Sequence, residues 1–334
     1  MEESFWAYRV VRDGKEYRGG VVNLPLDGLP AGDVLIRVAF SSLNYKDALS
    51  AIGNPGVTRK YPHIPGVDVA GTVEACTAGP FKSGDKVLVT GYDLGMETDG
   101  GYAEYCRVPA AWVVPLPGGL TVQEAMTLGT AGFTAALGIR HMLHNGLTPE
   151  KGPVLVTGAS GGVGSVAVSI LSKLGFRVTA AGDPAQIDYL KEIGAAQVID
   201  RDTLNAESPR AMLGEQWAGA YDTVGGKTLE TVIKSMRYLG VIANCGMVGG
   251  GALSTTVFPF ILRGVSLLGT DSVQCPMDIR LDVWNRLAGP WKPPRLDRIA
   301  RIITLDDLEA SIQAILQGKI SGRTLVVPET RMKG

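Results

Sequence analysis

The sequence predicts an α/β fold in which a doubly wound parallel-sheet domain is inserted into a β-rich domain. Three observations carry this. From Val34 to Val114, short apolar runs (VLIRVAF, VDVAGTVEA, KVLVTGY, GYAEYCRV, AWVVPLP) are divided by Gly, Pro and Asp, the punctuation of an all-β region. From Pro153 to Gly246, strand-like and helix-like runs alternate, and that rhythm implies parallel strands covered by helices on both faces. The tail then closes on RTLVV, residues 323–327, a strand with no sheet of its own, which is expected to return to the first β region.

At about 150 residues per domain, 334 residues suffice for two cores. A chain that is 45% hydrophobic and only 19% charged is too apolar to be disordered. Lys and Arg number 32 against 33 Asp and Glu, a net charge of -1, so no global field draws the protein to nucleic acid or anionic lipid, and neither is expected as a partner. The opening MEESFWAYRVVRDGKEY has no signal-peptide h-region, and no stretch reaches the ~18 apolar residues of a membrane span; a cytoplasmic protein is expected. Cys76, Cys106, Cys245 and Cys275 form no CxxC pair and read as buried free thiols.

After Thr121 the alternation gives way to helical spacing, and Thr121 with Glu124 has the form of a capping box. The nucleotide-domain rhythm then runs PVLVTG, SVAVSILSKLGF, RVTAAG, an amphipathic stretch to Gly194, AQVID, YDTVGG, TLETVIKSMRYLG and VIANCG. It fades after VSLLGTD, and the tail adds the helical LDDLEASIQAILQGK. The expected boundaries are 1–123 with 272–334 for the outer domain and 124–271 for the insert. SLLGTD reads as an edge strand with no later strand to cover it. Such edges are usually paired or blocked, so a homodimer is expected.

The sharpest motif is VLVTGASGGVGSVAVSILSKLG, a strand running through a Gly-rich turn into a helix. Gly158, Gly161 and Gly164 allow a tight turn, backbone approach to a pyrophosphate and close helix-strand packing. The helix start adds N–H groups and positive dipole. Ser160, Gly161, Gly162 and Val163 complete the turn, and a dinucleotide is the expected ligand of a Rossmann domain. A glycine triplet alone is weak; its strand-turn-helix setting gives it meaning. Asp183 ends the next strand about 20 positions after Gly164, where NAD-binding folds grip the ribose 2′-hydroxyl. Asp183-Pro184 is equally a helix N-cap followed by proline at the first helical position, and one carboxylate can serve both.

Taken together, SSLNYKDAL, PGVDVAGTV, GGYAEYCRV, TLGTAGFTAALG, TGASGGVGS, TVFPFILRGVSLLGTDSV and SGRTLVV resemble the zinc-free, quinone-oxidoreductase-like branch of the medium-chain dehydrogenase/reductase superfamily, and within it the acrylyl-CoA reductases. The resemblance runs from Leu35 to Val327. It implies that the outer domain is a GroES-like β-barrel catalytic domain. Zinc members carry Gly-His-Glu where this chain has Gly66-Val67-Asp68, and usually a cysteine near the segment that here reads Leu43-Asn44-Tyr45-Lys46. Valine and asparagine there leave no metal site, and none is expected. His63, His141 and His144 read as structural or surface residues.

The resemblance further implies a cleft role for Asn44 and Tyr45, with a turn residue and a core aromatic as the plainer readings, and marks Arg323 as a fixed cation for cofactor phosphate or CoA. Lys46 and Asp47 read equally as a solvated pair at a helix start. The resemblance also puts Thr130, Met247 and Ser272 at the cofactor. Acrylyl-CoA reductases generally use NADPH and place Ser-Gly-Arg at the end of the second strand. This chain has Ala181-Gly182-Asp183, which favours NADH or dual use, while Arg201 matches a family arginine near the adenosine end. The implied activity is NAD(P)H-dependent reduction of the 2,3 double bond of a short 2-enoyl-CoA such as acrylyl-CoA. The alternatives are a quinone or general enone reductase, and a non-catalytic NAD(P)-binding module.

Overall fold

The computed structural model describes residues 4–206 and 208–330; the outermost residues of the expected outer domain lie outside these. Two compact units result, one of residues 1–130 with 300–334 and one of residues 131–299. The β-rich unit opens with a hairpin, β1 (Ser4–Asp13) and β2 (Glu16–Pro25), joined through Gly14 at φ +63°. Sequence reading did not mark this hairpin as strands, although Gly14 opens its two-residue turn, Gly14-Lys15. Next come β3 (Val34–Leu43), α1 (Tyr45–Ala51), β4 (Asp68–Cys76), β5 (Lys86–Thr90), β6 (Tyr105–Val108) and β7 (Val114–Pro115). Helix α2 (Val122–His144) starts with reciprocal bonds between Thr121 and Glu124, the expected capping box, and is interrupted at Gly129 by φ 51°, ψ -155°.

The nucleotide unit contains β8 (Val154–Val156), α3 (Gly162–Lys173), β9 (Val178–Gly182), α4 (Ile187–Glu192), β10 (Gln197–Asp200), β11 (Trp217–Asp222), α5 (Gly226–Lys234), β12 (Met236–Asn244), α6 (Phe258–Arg263), β13 (Ser266–Gly269), α7 (Met277–Ala288) and α8 (Leu296–Ile299). Its strands are parallel in the order β10-β9-β8-β11-β12-β13. This is the doubly wound order, with its topological switch between β8 and β11. Met236 to Gly240, read from sequence as the end of a helix, belongs to β12 instead: the parallel register Trp217↔Met236 takes the backbone into the sheet.

The chain then returns through β14 (Ala300–Thr304), α9 (Leu308–Leu316) and β15 (Arg323–Val327), and β15 lies antiparallel to β3 with Leu325 opposite Ser42. The expected return strand is there, in a sheet ordered β14-β15-β3-β4-β5-β7, with β6 also paired to β3. Val34, Ile36, Val38, Val69, Val73, Val87 and Val89 fill its core. The observed division differs from the expected one, because 272–299 pack with the nucleotide unit and 124–130 with the β-rich unit. For 272–299 the cause is α7, whose fully buried Trp284 ring lies 6.0 Å from the Phe133 ring and whose buried Arg280 guanidinium carbon lies 4.8 Å from that ring's centre. No helix among the described residues is long and apolar enough to cross a membrane.

Candidate active site

In the nucleotide unit, the strand ends at the switch point are tied by Asp222. Its carboxylate accepts the Thr157 hydroxyl (2.6 Å), the Gly225 N–H (2.8 Å) and the Asn244 amide (2.7 Å), fixing the loops that follow β8, β11 and β12. The Gly-rich turn leaves β8 here, and its glycines are required for different reasons. Gly158 has φ +56°, and a Cβ on it would meet Thr223 Oγ1 at 2.2 Å. A Cβ on Gly164 would come within 2.2 Å of Gly158 O, so Gly164 sets the packing of α3 on the turn. Gly161 has an ordinary φ of -76°, and its Cβ would meet only Gly158 O at 3.3 Å. No side chain lies within 4 Å of that Cβ position, and no side chain caps α3. A backbone cradle with unblocked helix N–H groups fits a pyrophosphate. Ser160, Gly161, Gly162 and Val163 line it half-exposed.

At the end of β9, Ala181 packs into the core with Leu155 and Ala220, and a Cβ on Gly182 would strike Leu190 at 2.7 Å. Of the expected Ala181-Gly182-Asp183 triplet, only the Asp183 side chain therefore reaches outward. Asp183 Oδ1 accepts the Ala185 N–H at 2.9 Å, so the N-cap reading is correct. Asp183 Oδ2 faces Arg201 Nη2 at 3.9 Å. Met247 is 72% exposed on the loop after β12. Ser272 accepts the Thr134 hydroxyl at 2.8 Å, and its carbonyl is held by Arg280 at 3.1 Å.

The β-rich unit holds a buried polar network that the sequence did not disclose. Asp68, at the start of β4, accepts the Asn44 amide on Oδ2 (2.8 Å) and the Ser42 hydroxyl on the same oxygen. Asp68 Oδ1 takes both the N–H (2.8 Å) and hydroxyl (2.6 Å) of Thr130. Thr130, expected at the cofactor, thus donates into this network. The bend at Gly129 permits it: a Cβ there would lie 2.6 Å from Asp68 Oδ2 and 2.9 Å from Arg323 Nη2.

Arg323 is buried, which corrects its reading as a cation for phosphate or CoA. Its guanidinium donates to Thr127 O (3.0 Å), Leu43 O (3.4 Å), Asn44 Oδ1 (3.0 Å) and Ser42 Oγ (2.7 Å) and pairs with Asp68 at 3.7 Å. Four hydrogen bonds and a buried ion pair commit this fork to partners inside the β-rich unit. Asp47 is likewise fully buried and not half of a solvated pair: it accepts Val67 N–H (2.8 Å) and Asn44 N–H (2.8 Å). Burial, and then the Asp68 charge, push its carboxyl up to about 6 against those hydrogen bonds. Burial also raises the Tyr102 phenol, which donates to Ser42 O at 3.3 Å, and lowers Arg323 against the pull of Asp68 and Asp47.

Asn44, the N-cap of α1, is the hinge of this network, and Tyr45 stands beside it 41% exposed. Of the two, Tyr45 is the exposed residue, while the Asn44 amide is committed to Asp68, Asp47 and Arg323. Sequence reasoning missed Asp68 and Ser42 and left Asp47 even between a role at the site and a solvated charge. The available signal was a carboxylate opening an otherwise apolar strand, DVAGTV. Among the described residues, no group of three or more His, Cys, Asp and Glu side chains is arranged to hold a metal ion.

Residues 30–118 match the family model of the alcohol dehydrogenase GroES-like domain, and residues 162–288 match that of the zinc-binding dehydrogenases. The chain is 46% identical to the putative quinone oxidoreductase YhfP of Bacillus subtilis, over 98% of this chain and 99% of that one. It is 46% identical to the acrylyl-CoA reductase AcuI of Ruegeria pomeroyi, over 92% and 94% of the two chains. Two solved structures superpose closely. YhfP with NAD bound has a TM-score of 0.95, covering 97% of this chain and 99% of that one at 46% identity. The yhdH oxidoreductase of Salmonella enterica in complex with NADP has a TM-score of 0.94, covering 96% and 99% at 45% identity.

Proposed function

The chain belongs to the zinc-free, quinone-oxidoreductase-like branch of the medium-chain dehydrogenase/reductase family, and from that premise we propose that it is an NAD(P)H-dependent reductase of short 2-enoyl-CoA thioesters, acrylyl-CoA in particular. The observation that carries this reading is the unobstructed Gly161 turn at the sheet's switch point, in a chain matched almost end to end by an acrylyl-CoA reductase. A nicotinamide, when bound, would supply a hydride to the substrate β-carbon. The thioester oxygen then takes up negative charge and the α-carbon takes a proton. A conjugated thioester needs no metal to be activated, which suits a site where Val67 and Asn44 stand in place of ligands.

Gly158, Gly161 and Gly164 shape the pyrophosphate cradle, and Asp222 holds its loops in place. Asp183 and Arg201 face the adenosine ribose, with Met247 and Ser272 toward the nicotinamide end. In the β-rich unit, Asp68, Asp47 and Arg323 act through Asn44, fixing the start of α1 and hence Tyr45, the residue of this unit to which we assign the relay of the proton. β13 pairs with its copy in a homodimer.

The likeness to YhfP supports a second reading, reduction of free enones or quinones. Reduction of acrylyl-CoA with NADH deuterated at the transferred position decides the chemistry. Propionyl-CoA carrying the label at the β-carbon is expected; unlabelled product, or no product, contradicts the proposal.

A further inference from the structure

We infer that Arg280, from within α7, positions the turn 270–276 and with it presents the Ser272 hydroxyl to the nicotinamide half of the dinucleotide. This rests on the reading that the Gly-rich turn holds a dinucleotide. The parallel register sets Val156, Tyr221, Ala243 and Leu268 in one row, so the turn after β13 leaves the sheet at the same edge as the Gly-rich turn after β8. A dinucleotide laid across the switch point places one nucleotide on each half of the sheet. The adenosine goes to the half in which an acid, Asp183, follows the second strand, so the ends of β11, β12 and β13 meet the nicotinamide.

Arg280 is fully buried, and it reaches three carbonyls of this one turn. Its Nη2 donates to Ser272 O and Val273 O, each at 3.1 Å, and to Cys275 O at 3.5 Å, while the guanidinium carbon lies 4.8 Å from the centre of the Phe133 ring. A planar cation held against a ring and bonded to three carbonyls cannot swing, and the backbone it holds takes one shape. The Val273 N–H, bonded to Asp271 Oδ1 at 2.8 Å, closes the turn. The hydroxyl is placed from a second direction. Tyr221 on β11 donates to Thr134 O at 2.6 Å, and Thr134 Oγ1 donates to Ser272 Oγ at 2.8 Å. A hydroxyl that accepts there still has its own hydrogen to give, and the amide oxygen of a nicotinamide is an acceptor for it. Arg280 therefore acts through Ser272 on the placement of the nicotinamide ring, and hydride transfer depends on that placement.

Calorimetric titration of the intact chain with NADH and NADPH, and with ADP-ribose and its 2′-phosphate, which lack only the nicotinamide, tests this without turnover. Arg280→Met keeps an apolar stem against Phe133 and removes the fork. It is expected to weaken the tighter of the two reduced dinucleotides by about tenfold or more while moving its ADP-ribose counterpart by less than about twofold. Thr134→Val removes the second hold on Ser272 and should give the same split, several-fold in size; it decides alone if Arg280→Met does not fold. A loss shared equally by the dinucleotide and its counterpart, or no loss of either, overturns the clamp while leaving the dinucleotide reading intact. Failure of the wild type to bind either reduced dinucleotide overturns both.

Discussion

Arg323 and Asp68 lie 3.7 Å apart with side chains 2% and 0% exposed, an ion pair between the last strand of the β-rich unit and its fourth. Ser42 and Asn44 each bridge the two, so the pair is a closed circuit of charge and hydrogen bonds. Taking one member away leaves the other charged, buried and unmatched. Arg323→Met is therefore expected to cost about 3–5 kcal/mol, read by urea denaturation. Adding Asp68→Asn should return part of that loss. Full additivity in the double-mutant cycle would show that the pair is not coupled.

The three glycines of the turn should separate by phenotype. Gly161→Val keeps an ordinary φ and meets only Gly158 O, at 3.3 Å, so the fold should survive with at most a small drop in thermal midpoint while NAD(P)H fluorescence titration shows no binding. Gly164→Val drives a side chain into Gly158 O and should lower the midpoint outright. Unaltered cofactor affinity in Gly161→Val would remove the turn from the binding site.

Asp47 gives a pH dependence with a definite sign. Its carboxyl is raised from 3.8 to about 6 in the folded chain, so between these values the native state holds a proton that the unfolded state has lost. The stability it contributes is full below pH ~4 and lost as pH rises through ~6, a change on the order of 3 kcal/mol. The stability difference between wild type and Asp47→Asn should fall over that window and be level above pH ~7. A flat difference from pH ~4 to ~8 would place the titration elsewhere.

The architecture was legible because local pattern carries it: alternation divided by turn residues gave the β-rich unit, and the Gly-rich turn between VLVTG and its helix gave the switch point. The network was not legible. Arg323 and Asn44 are 279 positions apart, and no periodicity encodes a contact at that separation. Arg323 accordingly read as a free cation and Asp47 as evenly a site residue or a solvated charge, when burial and hydrogen-bond geometry give both an internal task. Asp183 shows the opposite case. Asp-Pro announced the cap, the distance from Gly164 announced the ribose, and the structure gives the cap to one oxygen and leaves the other facing Arg201.

β13 ends the nucleotide sheet, and the neighbouring helix α6 exposes Phe258, Ile261 and Leu262. An uncovered edge beside apolar side chains is paired in most native proteins. A homodimer mass is expected by light scattering at micromolar concentration, and Leu267→Pro, which removes an N–H on the side of β13 away from β12, should yield monomers. A monomer mass for the wild type would refute the pairing.

The central claim is that the acceptor is a short enoyl-CoA. Oxidation of NADH and NADPH should be measured against acrylyl-CoA, crotonyl-CoA and a simple quinone, with kcat/KM compared across the panel. Acrylyl-CoA is expected to exceed the quinone by at least about a hundredfold, a gap of about 2.7 kcal/mol in transition-state binding. Equal values for quinone and thioester, or no oxidation with either thioester, would contradict the account.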